Sequence, residues 1–285
     1  MGNAFKTAFL LTLLTLLLMF VGRAFGGQNG MLLALGIAAV LNFVSYFFSD
    51  KLALAMYRAK PVTRDELPRA YQIVERLTQR VGLPMPKIYV LPTDSPNAFA
   101  TGRNPSHASV AVTRGILDLL TDDELEGVLA HELGHVRNRD ILISSVAATI
   151  AGAITYLAEM MRWGMIFGGY GRDDRDRGGG LGALAMLILA PFAAMLIQLA
   201  VSRSREYEAD ATGAHFTGNP YALASALAKI DASARRMPLA ASPSTAHLFI
   251  IQPFLGMSFG SLFSTHPPTA KRIERLTGRP AEFLQ

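Results

Sequence analysis

The sequence predicts a multi-pass α-helical membrane protein whose α+β extramembrane domain is interrupted by a membrane hairpin. Hydrophobic residues make up 51% of the 285 residues, and charged residues only 17%. The apolar residues are gathered in four blocks, each near the ~20 residues with which a helix crosses a bilayer. Two polar segments, residues 51–140 and 202–285, lie outside these blocks and together have the size of one domain.

The first two apolar blocks predict a transmembrane hairpin within residues 1–50. Its spans cover about residues 4–25 and 31–48, and the sequence GGQNG joins them. A cleaved signal peptide is the alternative for the first block. The apolar core of this block is longer than that of a typical signal peptide, and a second apolar block follows at once. A retained hairpin is therefore the prediction.

Residues 141–201 predict a second hairpin, with spans at about 141–161 and 181–201. The loop between these spans is rich in Gly, Asp and Arg. Glu159 and Arg162 stand at the far end of the first span, and Pro191 predicts a kink in the second. The sequence leaves open whether these two spans cross the bilayer fully.

Basic residues near the span ends predict the orientation of the chain. Lys6 precedes the uninterrupted apolar run of the first span, and Lys51 and Arg58 follow the second span. Because Lys and Arg are enriched on the cytoplasmic side of membranes, both termini and both polar segments are predicted to face the cytoplasm. The net charge of +5 therefore indicates the lipid bilayer as a partner. No nucleic acid is expected, since the sequence has no nucleic-acid-binding motif.

Periodicity and turn residues predict one helix and three short strands in the first polar segment: Thr63–Val81 for the helix, and Lys87–Pro92, Asn97–Thr101 and His107–Thr113 for the strands. Thr121 and Glu124 form a capping-box pattern at the start of the next helix. Asn219 before Pro220 predicts another helix start, and Gly278 closes a short C-terminal helix.

His131, Glu132 and His135 form an H-E-x-x-H motif on the helix that follows Thr121. Residues four apart lie on one helix face, so both imidazoles can bind a single Zn²⁺ ion. Glu132 lies beside the first ligand and can act as general base towards a water molecule. The sequence contains no Cys, so any further zinc ligand must be His, Asp or Glu.

A catalytic zinc site needs a third protein ligand. The sequence SRSREYEAD places Glu206 and Asp210 four residues apart, on one face of a second predicted helix. One of these carboxylates can bind zinc while the other orients a ligand histidine. A solvated charged helix is the alternative, in which Arg203 and Arg205 offset the acidic residues.

Three segments, HELGHVRNRD, SRSREYEAD and THPPTAKRI, resemble in sequence and order those of the HtpX family of bacterial membrane zinc metalloproteases. These are relatives of the CAAX prenyl proteases and of the Oma stress protease. The resemblance covers essentially the whole chain. It implies a zincin-like catalytic domain with one Zn²⁺ held by His131, His135 and Glu206, with Glu132 as catalytic base and Asp210 behind the ligands.

The resemblance also implies a place and a substrate class. It predicts proteolytic quality control and stress response at the bacterial cytoplasmic (inner) membrane, with the active site facing the cytosol. Unfolded, misfolded or damaged membrane proteins are the expected substrates.

Two further site assignments are hypotheses from the sequence. His266, beside the two prolines of THPP, is a candidate for stabilising the oxyanion, with an ordinary loop residue as the alternative. The stretch from Asn97 through Ala98, Phe99 and Ala100 to Thr101 is a candidate edge strand for an extended substrate. A plain hairpin strand is the alternative.

The predicted function is that of a membrane-bound zinc-dependent endopeptidase. A CAAX-type processing protease is one alternative, but four short spans are few for enclosing a lipidated substrate. A non-enzymatic, zinc-stabilised membrane scaffold is another, although a structural zinc site has no need of a base such as Glu132. The oligomeric state is left open by the sequence.

Overall fold

A computed structural model of the chain describes residues 3–151, 203–236, 248–251 and 267–284. In chain order the elements are α1 (Asn3–Met56), β1 (Lys60–Pro61), α2 (Pro68–Val81), β2 (Lys87–Leu91), β3 (Ala98–Gly102), a 3₁₀ turn (Pro105–His107), β4 (Ala108–Thr113), α3 (Arg114–Leu119), α4 (Asp122–Arg137), α5 (Ile141–Ala151), α6 (Arg203–Thr217), α7 (Pro220–Arg236), α8 (Thr269–Thr277) and a second 3₁₀ turn (Ala281–Leu284).

The α1 segment is two apolar helices joined at Gly27, which has a non-helical backbone (φ 59°, ψ −143°). Glycine tolerates this left-handed φ because it has no Cβ. A Cβ at Gly22 would collide with the backbone of Gly30, so the two helices approach closely beside the break. The break falls in the GGQNG sequence. The second helix continues past the predicted span end at Phe48 to Met56, because a helix need not stop where its apolar run stops.

Among the described residues, the helix Gly26–Met56 is long and apolar enough to cross a bilayer, with a mean hydropathy of 2.1. Two further apolar helices, Phe5–Phe20 and Ile141–Ala151, are shorter. Large apolar side chains on α1, including Phe20 and Leu33, are exposed, as a lipid-facing surface requires. The predicted span at 181–201 and residues 152–161 of the span before it lie outside the described residues.

The four strands form one sheet in the order β1-β2-β4-β3. β2 and β4 pair in parallel, and the other two pairs are antiparallel. Both β3 and β4 are buried throughout, because each face of the sheet is covered. Ala100 and Val110 on one face pack in the core that contains α2, α4 and α7, whereas Phe99 and Ala111 on the other face pack with Ala148 of α5 and with α1. The sheet therefore lies between the H-E-x-x-H helix and the apolar helices.

The α4 helix carries the H-E-x-x-H motif and begins with the predicted capping box. The Thr121 hydroxyl accepts a hydrogen bond from the Glu124 backbone N–H, and the Glu124 carboxylate accepts one from the Thr121 N–H at 2.9 Å. Glu124 also binds Ser225 and Lys229 on α7, at 2.6 and 2.7 Å respectively. The same residue thus caps the start of α4 and joins this helix to α7.

Glycines allow α6 and α7 to approach α4 closely. A Cβ at Gly127 would lie 2.8 Å from the backbone nitrogen of Leu223 on α7. A Cβ at Gly134 would lie 3.2 Å from the carbonyl oxygen of Ala209 on α6. Backbones can come this near only where a side chain is missing from the contact.

The strands agree with the predicted ones to within one residue at most ends, and the helix boundaries at Asn219 and Gly278 are confirmed. The Asn219 side chain accepts from the Ala222 N–H at 3.2 Å, and Gly278 ends α8 with a left-handed backbone (φ 68°). The predicted helix at Thr63 was wrong at its start, since α2 begins at Pro68. Proline favours the first helical turn, where its missing N–H costs no hydrogen bond.

Candidate metal centre

The two motif histidines lie one above the other on a buried face of α4. His131 is 1% exposed, and the Nε2 atoms of His131 and His135 are 3.2 Å apart. Their rings are nearly perpendicular, with centroids 4.8 Å apart. Side chains four residues apart in a helix meet in this way, so the pair follows directly from the sequence spacing.

The α6 helix brings Glu206 to the same point. Its Oε1 atom lies 3.6 Å from His135 Nε2, and its Oε2 atom lies 3.9 Å from His131 Nε2. One ligand atom from each of the three residues falls within 4.8 Å of the others. Zinc bonds of ~2.0–2.2 Å in tetrahedral geometry put donor atoms ~3.3–3.6 Å apart. The observed separations therefore fit one zinc-sized ion held by two imidazoles and a carboxylate.

Each of these histidines is oriented by a carboxylate on its other ring nitrogen. Asp210 Oδ1 lies 2.9 Å from His131 Nδ1, and Asp140 Oδ2 lies 3.0 Å from His135 Nδ1. A histidine that donates its Nδ1–H to a carboxylate has its Nε2 lone pair available for a metal. Both Nε2 atoms point towards Glu206, so both tautomers suit metal binding.

Arg272 on α8 is fully buried and holds Asp210 from the far side. Its Nε and Nη2 atoms donate to the two Asp210 carboxylate oxygens at 2.8 and 2.7 Å. Burial would raise the pKa of Asp210, but the Arg272 charge and its hydrogen bonds, together with His131, lower it to about 2. The pKa of Arg272 is raised in turn, since the attraction of Asp210 outweighs burial. Asp210 is therefore an anion held firmly behind His131.

Glu132 points into the same cleft and is only 2% exposed. Burial raises the pKa of its carboxyl, and the charge of Glu206 adds to the rise. The charges of His131 and His135 and a hydrogen bond with the backbone of Ala100 on β3 partly oppose this rise in the pKa. A general base works best when its pKa is moved towards the working pH, as here.

The pKa of His135 is raised to about 9 in the absence of a metal. Burial alone would lower it, but the hydrogen bond to Asp140 and the charges of Glu206 and Glu132 raise it. A site that attracts a proton so strongly also attracts a cation, and a metal ion would take the place of that proton.

The cleft beside these residues has an apolar side. It is lined by Ala100 of β3, by Ile141 and Ser144 of α5 and by Leu248, Phe249 and Ile250, as well as by the candidate ligands. The apolar α5 helix begins at Ile141, directly after Asp140. The candidate metal centre is thus adjacent to the base of an apolar helix.

The proposed substrate strand, Asn97–Thr101, is at the edge of the sheet but is covered. The Ala98 carbonyl accepts from the Ile250 N–H at 3.2 Å, and the Thr101 hydroxyl contacts the Ser145 hydroxyl of α5 at 2.6 Å. An extended substrate could pair along Ala98 only after Ile250 had moved. His266, the candidate oxyanion stabiliser, lies outside the described residues.

The sequence interpretation missed Asp140 and Arg272. The signal for Asp140 is its place just before an apolar run, where a helix-capping acid is common. Arg139, with a left-handed backbone (φ 59°), makes the turn that returns Asp140 to His135. The signal for Arg272 is indirect: a buried acid such as Asp210 needs a cation, but the sequence does not say which one.

Comparisons with known proteins give the chain its family. The model of peptidase family M48 matches residues 65–280. A protein named protease HtpX homolog from Desulfatibacillum aliphaticivorans is 56% identical over 98% of this chain and 90% of its own. Another of that name, from Pyrococcus abyssi, is 52% identical over 97% of this chain and 96% of its own.

A solved structure shares the fold. The crystal structure of S. mikatae Ste24p matches with a TM-score of 0.51 and 21% identity. The match covers 91% of this chain, which spans 60% of the Ste24p chain. These matches agree with the structure, in which His131, His135 and Glu206 form a candidate metal site and α1 exposes apolar side chains. The chain therefore belongs to peptidase family M48 and is a membrane-bound metalloprotease related to the HtpX proteases.

Proposed function

We propose that this protein is a zinc-dependent endopeptidase that cleaves misfolded or damaged membrane proteins at the bacterial cytoplasmic membrane. The observation that supports this best is the convergence of His131, His135 and Glu206 beside the buried carboxyl of Glu132. Two imidazoles and one carboxylate are a donor set that catalytic zinc sites use, with a position left for water.

His131, His135 and Glu206 would hold the ion, while Asp210 and Asp140 keep the two imidazoles in the metal-binding tautomer. Zinc, when bound, supplies a Lewis acid that polarises the scissile carbonyl and acidifies water. Glu132 takes the proton from the attacking water and transfers it to the leaving amine. His266 stays the candidate for stabilising the oxyanion.

The substrate class is supported by the position of the cleft. Asp140 and Ile141 join the candidate metal centre to the apolar helix α5, and the opposite face of the sheet packs on α1. A peptide bond near the membrane surface could therefore reach the cleft without leaving the membrane's vicinity. The relatives named as HtpX proteases disfavour both a CAAX-type processing enzyme and a non-enzymatic scaffold.

The activity is tested with the full chain purified in detergent. We expect about one zinc per chain and cleavage of casein or of a misfolded membrane protein. Zinc removal should abolish cleavage, and Glu132→Ala should lower it by roughly 100-fold or more while the zinc content stays unchanged. Equal cleavage by wild type and Glu132→Ala would refute the proposal.

The proposed topology has four spans, with both termini and the catalytic residues on the cytoplasmic side. Since the natural chain has no Cys, single cysteines report their side of the membrane without a background signal. Gln28→Cys at the hairpin tip should react with an impermeant maleimide in intact cells, whereas Asp65→Cys, in the polar segment, should react only after lysis. The reverse labelling would contradict this orientation.

A further inference from the structure

The segment Leu248–Ile251 is bound along the outer edge of β3. The Ile250 N–H donates to the Ala98 carbonyl at 3.2 Å and to the Asn97 side-chain oxygen at 3.1 Å. The Asn97 side-chain amide donates to the Ile251 carbonyl at 3.3 Å. The edge strand and one side chain thus hold a short, bent segment by its backbone.

The same edge of β3 also contacts Glu132, the candidate catalytic base. The Thr113 N–H donates to the Asn97 carbonyl, so the backbone groups of odd-numbered β3 residues face β4. Those of Ala98 and Ala100 consequently face the other way, because the direction alternates along a strand. Ala98 binds Ile250, and the Ala100 backbone binds Glu132. The bound segment and Glu132 are therefore neighbours on one strand edge.

Apolar side chains fix the segment in the cleft. Phe249 is fully buried, and its ring packs edge-on against Tyr57 and Phe99 with centroid distances of 4.9 and 5.4 Å. Leu248, Phe249 and Ile250 line the same cleft as the candidate zinc ligands. The cleft therefore accommodates the apolar side chains of a peptide segment held at the edge of β3.

The segment is also joined to the support of the metal centre. Arg272 donates to the Ile250 carbonyl through Nη1 at 2.7 Å, while its other nitrogens bind Asp210. One guanidinium thus contacts both the segment and the carboxylate behind His131. A peptide in this position therefore contacts the same arginine that holds the carboxylate behind His131.

We propose that Leu248–Ile251 is an internal occupant of the substrate cleft, which must leave β3 before an extended apolar substrate pairs there. This rests on the proposed peptidase function. The cleft binds a peptide through hydrogen bonds from its backbone to Ala98 and Asn97. It therefore accepts many sequences, provided that they are unfolded and apolar. The occupant fills the cleft in the resting enzyme and lowers kcat/KM for unfolded substrates.

The backbone pairing between this segment and β3 is short. Within the described residues, the backbone–backbone pairing of this segment with β3 consists of the single Ile250–Ala98 hydrogen bond, to which the Asn97 side chain adds two, whereas β3 and β4 are in register over five residue pairs. A substrate strand that makes several such bonds competes favourably with this one. Phe249 supplies much of the remaining contact and is the residue to change.

The first test compares Phe249→Ala with Phe216→Ala on an unfolded soluble substrate. Phe216 is as deeply buried but lies on α6, in the core. We expect Phe249→Ala to raise kcat/KM roughly 2- to 10-fold, the factor that loss of aromatic pair contacts gives. Phe216→Ala should not raise it. An unchanged or lowered kcat/KM in zinc-loaded Phe249→Ala would overturn the proposal. If Phe249→Ala fails to retain zinc, Phe249→Leu takes its place.

The second test needs no catalysis and so separates this proposal from the peptidase function. A fluorescent peptide of residues 246–253 (AHLFIIQP) is titrated into Glu132→Ala and into Glu132→Ala/Phe249→Ala, both zinc-loaded. We expect tighter binding to the double variant, and weaker binding when the residue that copies Ile250 is N-methylated. Equal affinity for both proteins, or for both peptides, would overturn the proposal that Leu248–Ile251 occupies the cleft. Absence of cleavage by the wild type refutes only the peptidase function.

Discussion

Gly213 on α6 lies directly against His131 on α4, so that a Cβ at position 213 would stand 2.8 Å from the His131 backbone nitrogen. Real Cβ atoms essentially never approach a backbone atom so closely. Glu206 and Asp210 lie on α6, seven and three residues before Gly213, and so share its face. The distance between the two helix backbones therefore determines whether both carboxylates reach the histidines.

Gly213→Ala should separate α6 from α4 and weaken the metal site. Overpacking of this kind costs about 1–3 kcal/mol, and the displacement moves Glu206 away from both imidazoles. We expect a lower Tm in detergent and a lower zinc affinity, measured by competition with a chelator. Gly36→Ala, where a Cβ meets nothing within 4 Å, is the control and should change neither quantity. Wild-type zinc affinity in Gly213→Ala would show that this contact does not position Glu206.

Asp140→Asn should lower zinc affinity by roughly 10- to 100-fold, because a neutral amide accepts a weaker hydrogen bond from His135 and supplies no negative charge beside it. Chelator competition on the folded protein measures this directly, without an activity assay. Asp118→Asn, at an exposed position on α3, is the matched control and should bind zinc as the wild type does. Equal affinities for all three proteins would exclude a supporting role for Asp140.

Arg272→Gln should destabilise the fold by about 3–5 kcal/mol, since it leaves the Asp210 carboxylate buried without its cation. Urea or thermal unfolding in detergent measures the change. Lys271→Gln, at the preceding and exposed position of α8, should stay within about 0.5 kcal/mol of the wild type. A small effect of Arg272→Gln would mean that Asp210 finds another partner.

The ionised carboxylate of Glu124 should stabilise the fold, and this contribution should be lost in acid. Burial raises the pKa of its carboxyl, but hydrogen bonds from Lys229, Ser225 and Thr121 and the Lys229 charge lower it below the ordinary 4.5. A lowered pKa in the folded state adds stability above pH 4.5, and this stability is lost as the pH falls through the folded-state value. Tm should therefore decline less steeply below pH 4.5 in Glu124→Gln than in the wild type. Glu282→Gln, exposed near the C-terminus, should follow the wild-type curve.

Features that depend on neighbouring residues were predictable. The capping box of Thr121 and Glu124 and the left-handed end of α8 at Gly278 involve groups at most four residues apart. The meeting of His131 and His135 is equally local, because helix geometry alone brings their rings together. Such features form wherever the chain is helical, whatever packs around it.

The boundaries of elements were less certain for a physical reason. Apolar spacing marked Thr63–Val81 as one helix, yet α2 begins at Pro68, and the Thr63 N–H donates instead to the Glu66 carboxylate at 2.7 Å. A local turn with its own hydrogen bonds competes with the extra helical turn. Periodicity records which face is buried and does not measure this competition.

The sequence by itself determined the H-E-x-x-H helix, its cap and the pair of acids on a second helix, because each lies within one or two helical turns. Only the tertiary structure decided which groups complete the site: Asp140 behind His135, Arg272 behind Asp210, and Ile250 on the edge of β3. Burial requires that each buried charge and each strand edge has a partner. The choice of partner depends on how close the backbones approach, as Gly213 does to His131.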